Sequence, residues 1–234
     1  MIKRVIVAID GPAGAGKSTI ARRVAAKLGY IYVDTGAMYR AVALWALRMR
    51  VDLTDMHRLE QLAKAAKIEL PAPGVVELNG EDVSTAIRET AVSESASKVA
   101  AVPGVRRALV ERQREIAQEH SIVMEGRDIG TVVFPEAQVK IYLDASAQVR
   151  AERRADELRE RGVEATAEHL TREIEDRDRR DRSRANSPLM QALDAMYMDS
   201  SALSAEEVEN AILKLVRERT SNGKDVARRA DGSN

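Results

Sequence analysis

The residues best suited to chemistry run from Gly11 to Ser18 and match the pattern G-x-x-x-x-G-K-[ST]. Glycines at these spacings let the backbone aim several N–H groups at one anion. The Lys17 ammonium can reach the terminal phosphates, and the Ser18 hydroxyl can complete the shell of a Mg²⁺ ion. An apolar run precedes the motif and a helix-forming stretch follows it. This context predicts a nucleoside triphosphate site that consists of Gly11, Pro12, Ala13, Gly14, Ala15, Gly16, Lys17, Ser18 and Thr19.

A second polar segment, Asp34-Thr-Gly-Ala-Met-Tyr-Arg40, follows a predicted strand and opens a helix. We expect Thr35 to cap this helix, with Tyr39 and Arg40 one turn further on, where Arg40 can reach an anion. Asp-Thr-Gly is also an ordinary turn and cap, so spacing alone does not decide between a functional and a structural role.

A third polar segment, Glu125-Gly-Arg-Asp128, ends another predicted strand. An acid directly at a strand end beside a phosphate loop can hold metal-bound water, which makes Glu125 a candidate magnesium residue together with Ser18. Arg127 and Asp128, which follow Glu125 in the sequence, form an adjacent cation and anion. Such pairs are common on surfaces, but their position here predicts contact with a second substrate.

Residues 146 to 184 are dense in charge and few of them are apolar. Arg177, Asp181 and Arg184 are spaced to share one helix face. Three further arginines lie on the helix before it: Arg150, Arg153 and Arg154. A solvated helix with internal ion pairs would have the same composition. Because a phosphate loop is present, we favour a mobile lid whose arginines meet the charge of a transferring phosphoryl group.

The elements that must position these residues predict an α/β fold. Five short apolar segments alternate with helical patterns, which is typical of a parallel sheet with helices on both faces: residues 4 to 10, 30 to 34, 121 to 125, 139 to 144 and 195 to 199. Most of these segments end at an acid. We therefore expect these acids at the functional edge of the sheet: Asp10, Asp34, Glu125, Asp144 and Asp199.

The organisation along the chain predicts one domain over residues 1 to 219. Thr54 is expected to open a helix, and Asn79-Gly80 is a two-residue hairpin signal that follows this helix inside an inserted antiparallel lobe at about 51 to 102. The core therefore comprises about 1 to 50 and 103 to 219. The lid, at about 146 to 184, consists of two helices that break near Gly162. Ser204 and Glu207 cap a last helix to about Arg219, and residues 220 to 234 are expected to form a disordered tail.

Composition restricts the class of protein. The chain has 234 residues, of which 44% are apolar, so it can bury one substantial core. Its 37 basic and 37 acidic residues balance, which predicts a small-molecule ligand and neither nucleic acid nor membrane as a partner. The sequence contains no cysteine. Without an evident signal segment either, this composition favours a cytosolic protein.

Over almost its whole length the sequence resembles bacterial cytidylate kinases, a branch of the P-loop nucleoside monophosphate kinases. The resemblance rests on segments that stand in family order: Ile9-Asp-Gly-Pro-Ala-Gly-Ala-Gly-Lys-Ser, Asp34-Thr-Gly-Ala-Met-Tyr-Arg, Glu81-Asp-Val-Ser, Pro103-Gly-Val-Arg, Glu125-Gly-Arg-Asp-Ile-Gly-Thr-Val-Val-Phe-Pro, Lys140-Ile-Tyr-Leu-Asp-Ala-Ser and Arg177-Asp-Arg-Arg-Asp-Arg-Ser-Arg. It implies Mg²⁺-dependent phosphoryl transfer from ATP to CMP or dCMP by a monomer.

The resemblance also implies residue roles. Arg40 and Arg127 would grip the acceptor phosphate, and Arg177 and Asp181 would hold the sugar. Lys17 would act in catalysis with arginines of the lid, for which the candidates are Arg153, Arg154 and Arg177. The implied acceptor site comprises Thr35, Tyr39, Arg40, Ser97, Arg106, Arg127, Asp128, Arg177, Asp181 and Arg184, and of these Ser97, Arg106, Asp128 and Arg184 would surround the cytosine.

Two other functions are compatible with a phosphate loop. One is a kinase of the same class that acts on UMP, dTMP or a small metabolite such as shikimate. The other is a nucleotide-binding regulator without turnover. The regulator leaves the Arg127-Asp128 pair and the arginine face of the lid without a purpose, so the kinase interpretation is favoured.

The role of Lys17 is directly testable. Replacing Lys17 with Met should abolish turnover, because a neutral thioether cannot compensate phosphate charge, while the fold survives. Steady-state ADP release and circular dichroism measure the two outcomes. A Lys17→Met enzyme with a near-normal rate would refute the role.

Overall fold

The larger of two sheets forms the centre of the molecule. A computed structural model describes residues 4–159, 162, 166–184 and 187–230, the last ten as backbone. Five strands form this sheet: β1 Ile6–Asp10, β2 Ile31–Asp34, β6 Ile122–Gly126, β7 Val139–Asp144 and β8 Met196–Asp199. Their spatial order is β2-β6-β1-β7-β8, and all four neighbouring pairs are parallel. The predicted five-stranded parallel sheet is confirmed.

Helices cover both faces of this sheet, as predicted. The α-helices of the described residues are α1 Lys17–Leu28, α2 Thr35–Arg48, α3 Met56–Ala65, α4 Thr90–Val99, α5 Pro103–Ile116, α6 Ala147–Arg159, α7 Ala167–Arg182 and α8 Ala205–Ala230. Val7 and Ile9 of β1 pack into the cluster that contains α1 and α8, whereas Ala8 faces the cluster that contains α5. This alternation follows from the two-residue period of a strand. Among the described residues, no helix is both long and apolar enough to cross a bilayer.

The inserted antiparallel sheet contains the predicted hairpin. Its strands are β3 Ile68–Glu69, β4 Glu77–Leu78 and β5 Glu81–Asp82. Asn79 and Gly80 connect the last two with φ angles of 54° and 84°, the left-handed conformation that a two-residue turn of this kind requires. The bounds of the inserted lobe, about 51 to 102, stay a prediction.

Helices α6 and α7 occupy the segment predicted as a lid. Thr166 caps α7, since its hydroxyl accepts the His169 N–H at 3.3 Å. Gly162, which lies between the two helices, has a φ of 74°. Residues 160, 161 and 163 to 165 lie outside the described residues. The apolar cluster between the helices is centred on only three buried residues, Ala151, Leu170 and Ile174, so the pair buries little core. Its mobility stays a prediction.

Two helix caps differ from the predicted ones. Asp34, not Thr35, caps α2, because β2 runs directly into the helix and the last strand residue becomes the cap; its carboxylate accepts the Ala37 N–H at 2.8 Å. Asp55, not Thr54, caps α3 by accepting the Arg58 N–H at 2.9 Å. In both cases the cap is an aspartate next to the predicted threonine, and its carboxylate extends further than the threonine hydroxyl.

The last helix also differs from expectation. The Ser204 and Glu207 capping box is confirmed by reciprocal bonds, with the Ser204 hydroxyl accepting the Glu207 N–H and the Glu207 carboxylate accepting the Ser204 N–H. However, α8 continues to Ala230 instead of ending near Arg219. Once a helix is nucleated, each further residue adds a hydrogen bond at small cost, so a polar segment rich in Ala, Arg and Lys can propagate it. Residues 231 to 234 of the predicted tail lie outside the described residues.

Leu109 of α5 is fully buried, whereas Leu193 is fully exposed. Leu109→Ala should lower the free energy of unfolding by about 2–5 kcal/mol, because it removes buried methyl groups and leaves a cavity. Leu193→Ala is the matched control and should change it by less than about 0.5 kcal/mol. Urea unfolding followed by circular dichroism measures both. Equal effects would contradict the assigned core.

Candidate active site

The sheet register brings the phosphate loop next to the Gly126-Arg127-Asp128 segment. Asp10, the last residue of β1, lies opposite Gly126, the last residue of β6. Paired strands lie about 4.8 Å apart, so the loop that starts at Gly11 and the segment that starts at Arg127 leave the sheet side by side. The predicted donor and acceptor residues therefore meet at one edge.

The backbone of the phosphate loop favours glycine at several points, of which two set its ends. Gly16, with a φ of 87°, turns the chain directly into α1. Gly11, with a φ of 148°, lies so close to β7 that an added Cβ would stand 1.9 Å from the Leu143 carbonyl oxygen. These constraints hold the loop tightly between β1 and α1, so that the amides at the start of α1 can converge on an anion.

Lys17 is buried within this loop, and its Nζ donates to the Pro12 carbonyl at 2.6 Å. Burial, followed by the nearby Arg127, lowers the pKa of Lys17 to about 7, and Glu125 opposes this effect. A phosphate anion at the loop would favour the charged ammonium, because an opposite charge raises the pKa of a lysine. The side chain is thus placed to respond to an anionic ligand.

Glu125 and Ser18 supply oxygen atoms beside the loop. The Tyr32 hydroxyl donates to the Glu125 carboxylate at 2.6 Å. Burial and then Asp34 raise the pKa of Glu125, whereas Lys17 and hydrogen bonds from Tyr32 and Ser18 oppose the rise. Oxygen donors are the ligands that Mg²⁺ prefers, and it usually keeps several waters and phosphate oxygens. The described residues contain no cluster of three or more His, Cys, Asp or Glu at metal-binding distance, so two protein oxygens fit only this open type of magnesium site.

The acceptor residues line one cleft, which has an empty volume of about 480 Å³. All ten predicted acceptor residues are among those that line it: Thr35, Tyr39, Arg40, Ser97, Arg106, Arg127, Asp128, Arg177, Asp181 and Arg184. They come from α2, α4, α5, the end of β6 and α7, so only the tertiary structure joins them.

One end of the cleft contains a buried ion pair between Arg106 and Asp128, whose side chains are each 7% exposed. The Arg106 guanidinium also donates to the Ala100 carbonyl and lies 5.6 Å from the centre of the Tyr39 ring. Thr35, which was expected to be a cap, donates instead to the Glu125 carbonyl at 2.7 Å. This end can therefore offer a carboxylate, a guanidinium and an aromatic face to a planar ligand.

Asp181 lies between two arginines. One of its oxygens accepts from Arg127 at 3.1 Å and the other from Arg184 at 2.5 Å. Burial alone would raise the pKa of Asp181, but Arg127, Arg184 and Arg177 outweigh burial and hold the pKa below its ordinary value. The carboxylate is therefore ionised at neutral pH and fixes α7 against the end of β6.

Arg40 and Arg177 keep donor groups available. The Nε atom of each is buried and has no hydrogen-bond partner among the described residues. Burial, followed by repulsion from Arg127, lowers the pKa of Arg177 to about 10, so it is still charged at neutral pH. Arg40 also forms an ion pair with Asp34 at 3.0 Å. Buried donors without acceptors are costly, and an anionic ligand would supply the acceptors.

The three candidate lid arginines differ in position. Arg177 lines the cleft. Arg153 donates to the Ser200 carbonyl at 2.7 Å. It also lies beside the phosphate loop, where it donates to the Ala15 carbonyl at 3.5 Å. Arg154 points elsewhere and pairs with Glu157 on the surface of α6. The structure therefore brings Arg153 and Arg177 to the site and leaves Arg154 outside it.

Arg150, which the sequence places on the first lid helix without a role of its own, links the lid to the phosphate loop. Its guanidinium donates to the Ala145 and Ala13 carbonyls and pairs with Asp178 of α7 at 2.7 Å, with both side chains nearly fully buried. An arginine within a charged helix has no distinguishing sequence signal. Arg150 lies near the loop because β7, which leads into α6, pairs with β1, which leads into the loop.

The acids at the strand ends have unequal roles. Glu125 and Asp34 adjoin the site, but Asp144 and Asp199 accept from neighbouring backbone N–H groups instead of facing the cleft. Asp10 accepts two backbone N–H groups from the segment that follows Asp128. All five acids therefore stand at the carboxyl edge of the sheet, as expected, but Asp10, Asp144 and Asp199 turn to nearby amides there, because short side chains at strand ends readily satisfy such groups.

Taken together, the parallel sheet, the phosphate loop and the arginine-lined cleft define a P-loop kinase. The chain belongs to the cytidylate kinase family, whose family model matches residues 7–218. It is 62% identical over 227 residues to the cytidylate kinase of Solibacter usitatus, covering 96% of this chain and 97% of that protein. It is also 51% identical to the cytidylate kinase of Desulforamulus reducens, covering 92% and 98%, and 47% identical to that of Pasteurella multocida, covering 93% and 97%. Kinases of this family use ATP as the phosphoryl donor.

The Arg150 contact generates a stability prediction. Arg150→Ala should lower the free energy of unfolding by about 3 kcal/mol, because it leaves the buried Asp178 carboxylate without its cation. Arg154→Ala removes an arginine from the same helix but breaks only a surface pair, so its effect should stay below about 1 kcal/mol. Urea unfolding compares the two variants. Similar losses for both would rule out a special role for the buried pair.

Proposed function

We propose that the protein transfers the γ-phosphoryl group of ATP to the phosphate of CMP or dCMP and releases ADP and CDP or dCDP. The observation that carries the proposal is the single cleft, beside the phosphate loop, that all ten expected acceptor residues line. The family to which the chain belongs points to the same reaction. An anionic acceptor also accounts for the number of guanidinium groups in this cleft.

The acceptor phosphate would lie between Arg40 and Arg127, with Arg177 close by. This assignment is supported by the buried Nε donors of Arg40 and Arg177, which have no acceptor within the described part of the chain. The attacking oxygen belongs to the CMP phosphate, whose second pKa is about 6, so it is largely ionised at neutral pH. The reaction therefore needs no general base. The protein has to position the two substrates and compensate the negative charge of their phosphates.

The cytosine would occupy the end of the cleft that holds Asp128. Its exocyclic amine can donate to the Asp128 carboxylate, and its ring acceptors can receive bonds from Arg106, Arg184 and Ser97. Uracil has an oxygen where cytosine has the amine, so Asp128 would face an unfavourable partner. For Asp181 to hold a sugar hydroxyl, it must use the second lone pair of an oxygen, because Arg127 and Arg184 each already take one.

On the donor side, the amides of residues 11 to 19 and the Lys17 ammonium would bind the ATP phosphates. Ser18 would coordinate Mg²⁺ directly and Glu125 through water. When bound, Mg²⁺ neutralises charge on the phosphate oxygens. Arg153, which is already beside the loop, and Arg177, which lines the acceptor cleft, are the lid arginines best placed to meet the transferred phosphoryl group. Arg154 would have to leave Glu157 to take part.

The contacts of the lid support a role in excluding water. Arg150 and Arg153 connect α6 to the phosphate loop, and Asp181 connects α7 to Arg127. A lid that closes over both substrates would protect the phosphoryl group from hydrolysis.

We infer that the enzyme works as a monomer in the cytosol, where its nucleotide substrates are found.

A panel of acceptors tests the reaction class and the choice of base together. ADP release is measured with CMP, dCMP, UMP, dTMP and shikimate at equal concentrations. We expect release with CMP and dCMP to exceed that with every other acceptor. ATP binding without acceptor-dependent ADP release would instead favour a regulator, and a preference for UMP, dTMP or shikimate would favour another kinase of this class.

The role of Asp128 makes a sharper prediction. Asp128→Ala should lower the CMP to UMP ratio of kcat/KM by about tenfold or more, because the carboxylate that distinguishes the amine from the oxygen is lost. Asp176→Ala is the control, since Asp176 is an exposed residue of α7 that pairs with Arg179. An unchanged ratio in Asp128→Ala would exclude the contact with the base.

A further inference from the structure

We propose that Asp10 is a positioning residue that keeps the Asp128 carboxylate turned toward the acceptor base by capping the helical segment that Asp128 begins. The inference rests on the proposed function, because it concerns the choice of pyrimidine. Asp10 has no part in the phosphate contacts described above. It lies directly before the phosphate loop, and its effect would nevertheless reach the other substrate.

The segment in question is a short π-helical stretch, Ile129–Val133, that follows β6. Asp10 is 5% exposed, and its two carboxylate oxygens accept the N–H groups of Ile129 and Gly130, each at 2.7 Å. These are the first two amides of the helical stretch, which have no partner within a helix. Asp10 thus caps this stretch from a neighbouring strand.

Asp128 occupies the position from which an aspartate ordinarily caps its own helix. An N-cap carboxylate accepts the N–H of the second or third helical residue, which here includes Gly130. Asp128 makes no such bond, and its carboxylate instead pairs with Arg106 at the end of the cleft. Because Asp10 already holds the Gly130 N–H, the structure removes one of the two local competitors for the Asp128 side chain.

The surroundings of Asp10 hold this arrangement in place. An added Cβ on Gly130 would stand 3.2 Å from Lys140 and 3.4 Å from the Asp10 carboxylate, so the chain passes closely between the two. Arg114 binds the carbonyls of Val132 and Val133 at the other end of the segment. Burial raises the pKa of Asp10 to about 6, and its bonds to Gly130 and Ile129 oppose the rise. At pH 8 the carboxylate is ionised and can accept both N–H groups.

The decisive variant is Asp10→Asn, which is isosteric but can accept only one of the two N–H groups. The free amide would then attract Asp128 away from the base. We expect the CMP to UMP ratio of kcat/KM at pH 8 to fall by about 3- to 30-fold, the range that the energies of helix caps imply. Loss of the Asp10 charge near Lys17 acts on the donor side and should change kcat/KM for CMP and UMP equally, so the ratio isolates the effect on the acceptor base. Asp199→Asn, the same change at the end of β8, is the control and should leave the ratio unchanged.

A double-mutant cycle separates this role from general structural support. If Asp10 acts through Asp128, then Asp10→Asn combined with Asp128→Ala should show the same ratio as Asp128→Ala alone. Gly130→Ala, which crowds the same contact without removing a charge, provides a second variant if Asp10→Asn does not fold, and should lower the ratio in the same direction.

Two results would overturn the inference. One is an Asp10→Asn enzyme, or a Gly130→Ala enzyme where the first does not fold, that loses activity equally with CMP and UMP. The other is an additive effect in the double variant. A wild-type enzyme with no preference for CMP would instead refute the proposed function, so the two failures are distinguishable.

Discussion

The excess of guanidinium groups over carboxylates in one cleft is the constraint on which the site depends. Five arginines and two aspartates line it. Like charges at this density repel one another: burial is the main cause of the lowered pKa of Arg177, and repulsion from Arg127 lowers it further. The two aspartates relieve part of the repulsion, since Asp181 pairs with Arg127 and Arg184, and Asp128 pairs with Arg106. The remaining positive charge favours an anion, and a nucleotide acceptor supplies one.

The proposed reaction also requires a fixed distance between the phosphate loop and the cleft proposed to bind the acceptor phosphate. The register of β1 against β6 provides it, because Asp10 and Gly126 end neighbouring strands and the two functional segments begin immediately after them. Side chains reinforce this register. Asp10 bonds the segment beyond Asp128, and Arg150 bonds the phosphate loop from the lid. The residues proposed to position the two substrates are therefore connected through the core of the sheet, so a change on one side can affect the other.

Much of the fold was predictable because it depends on local patterns. The five strands, the Asn79-Gly80 hairpin and the Thr166 and Ser204 caps each follow from a few neighbouring residues, and the structure confirms them. Two caps were wrong by one residue, since a carboxylate and a hydroxyl compete for the same amides over a short distance. The end of α8 was also wrong, because apolar periodicity reports packing and says little about how far a polar helix propagates.

The sequence by itself determined the phosphate loop, since its glycines and Lys17 act through a contiguous backbone whose geometry they set locally. The resemblance of the sequence to a known family also indicated the ten acceptor residues, but no local pattern in the sequence shows how they come together. The tertiary structure decided that they line one cleft, that Arg153 lies at the site while Arg154 does not, and that Asp10 caps the segment after Asp128. These relations join residues far apart in the chain, and the packing of strands and helices sets such distances only after the whole sheet has formed.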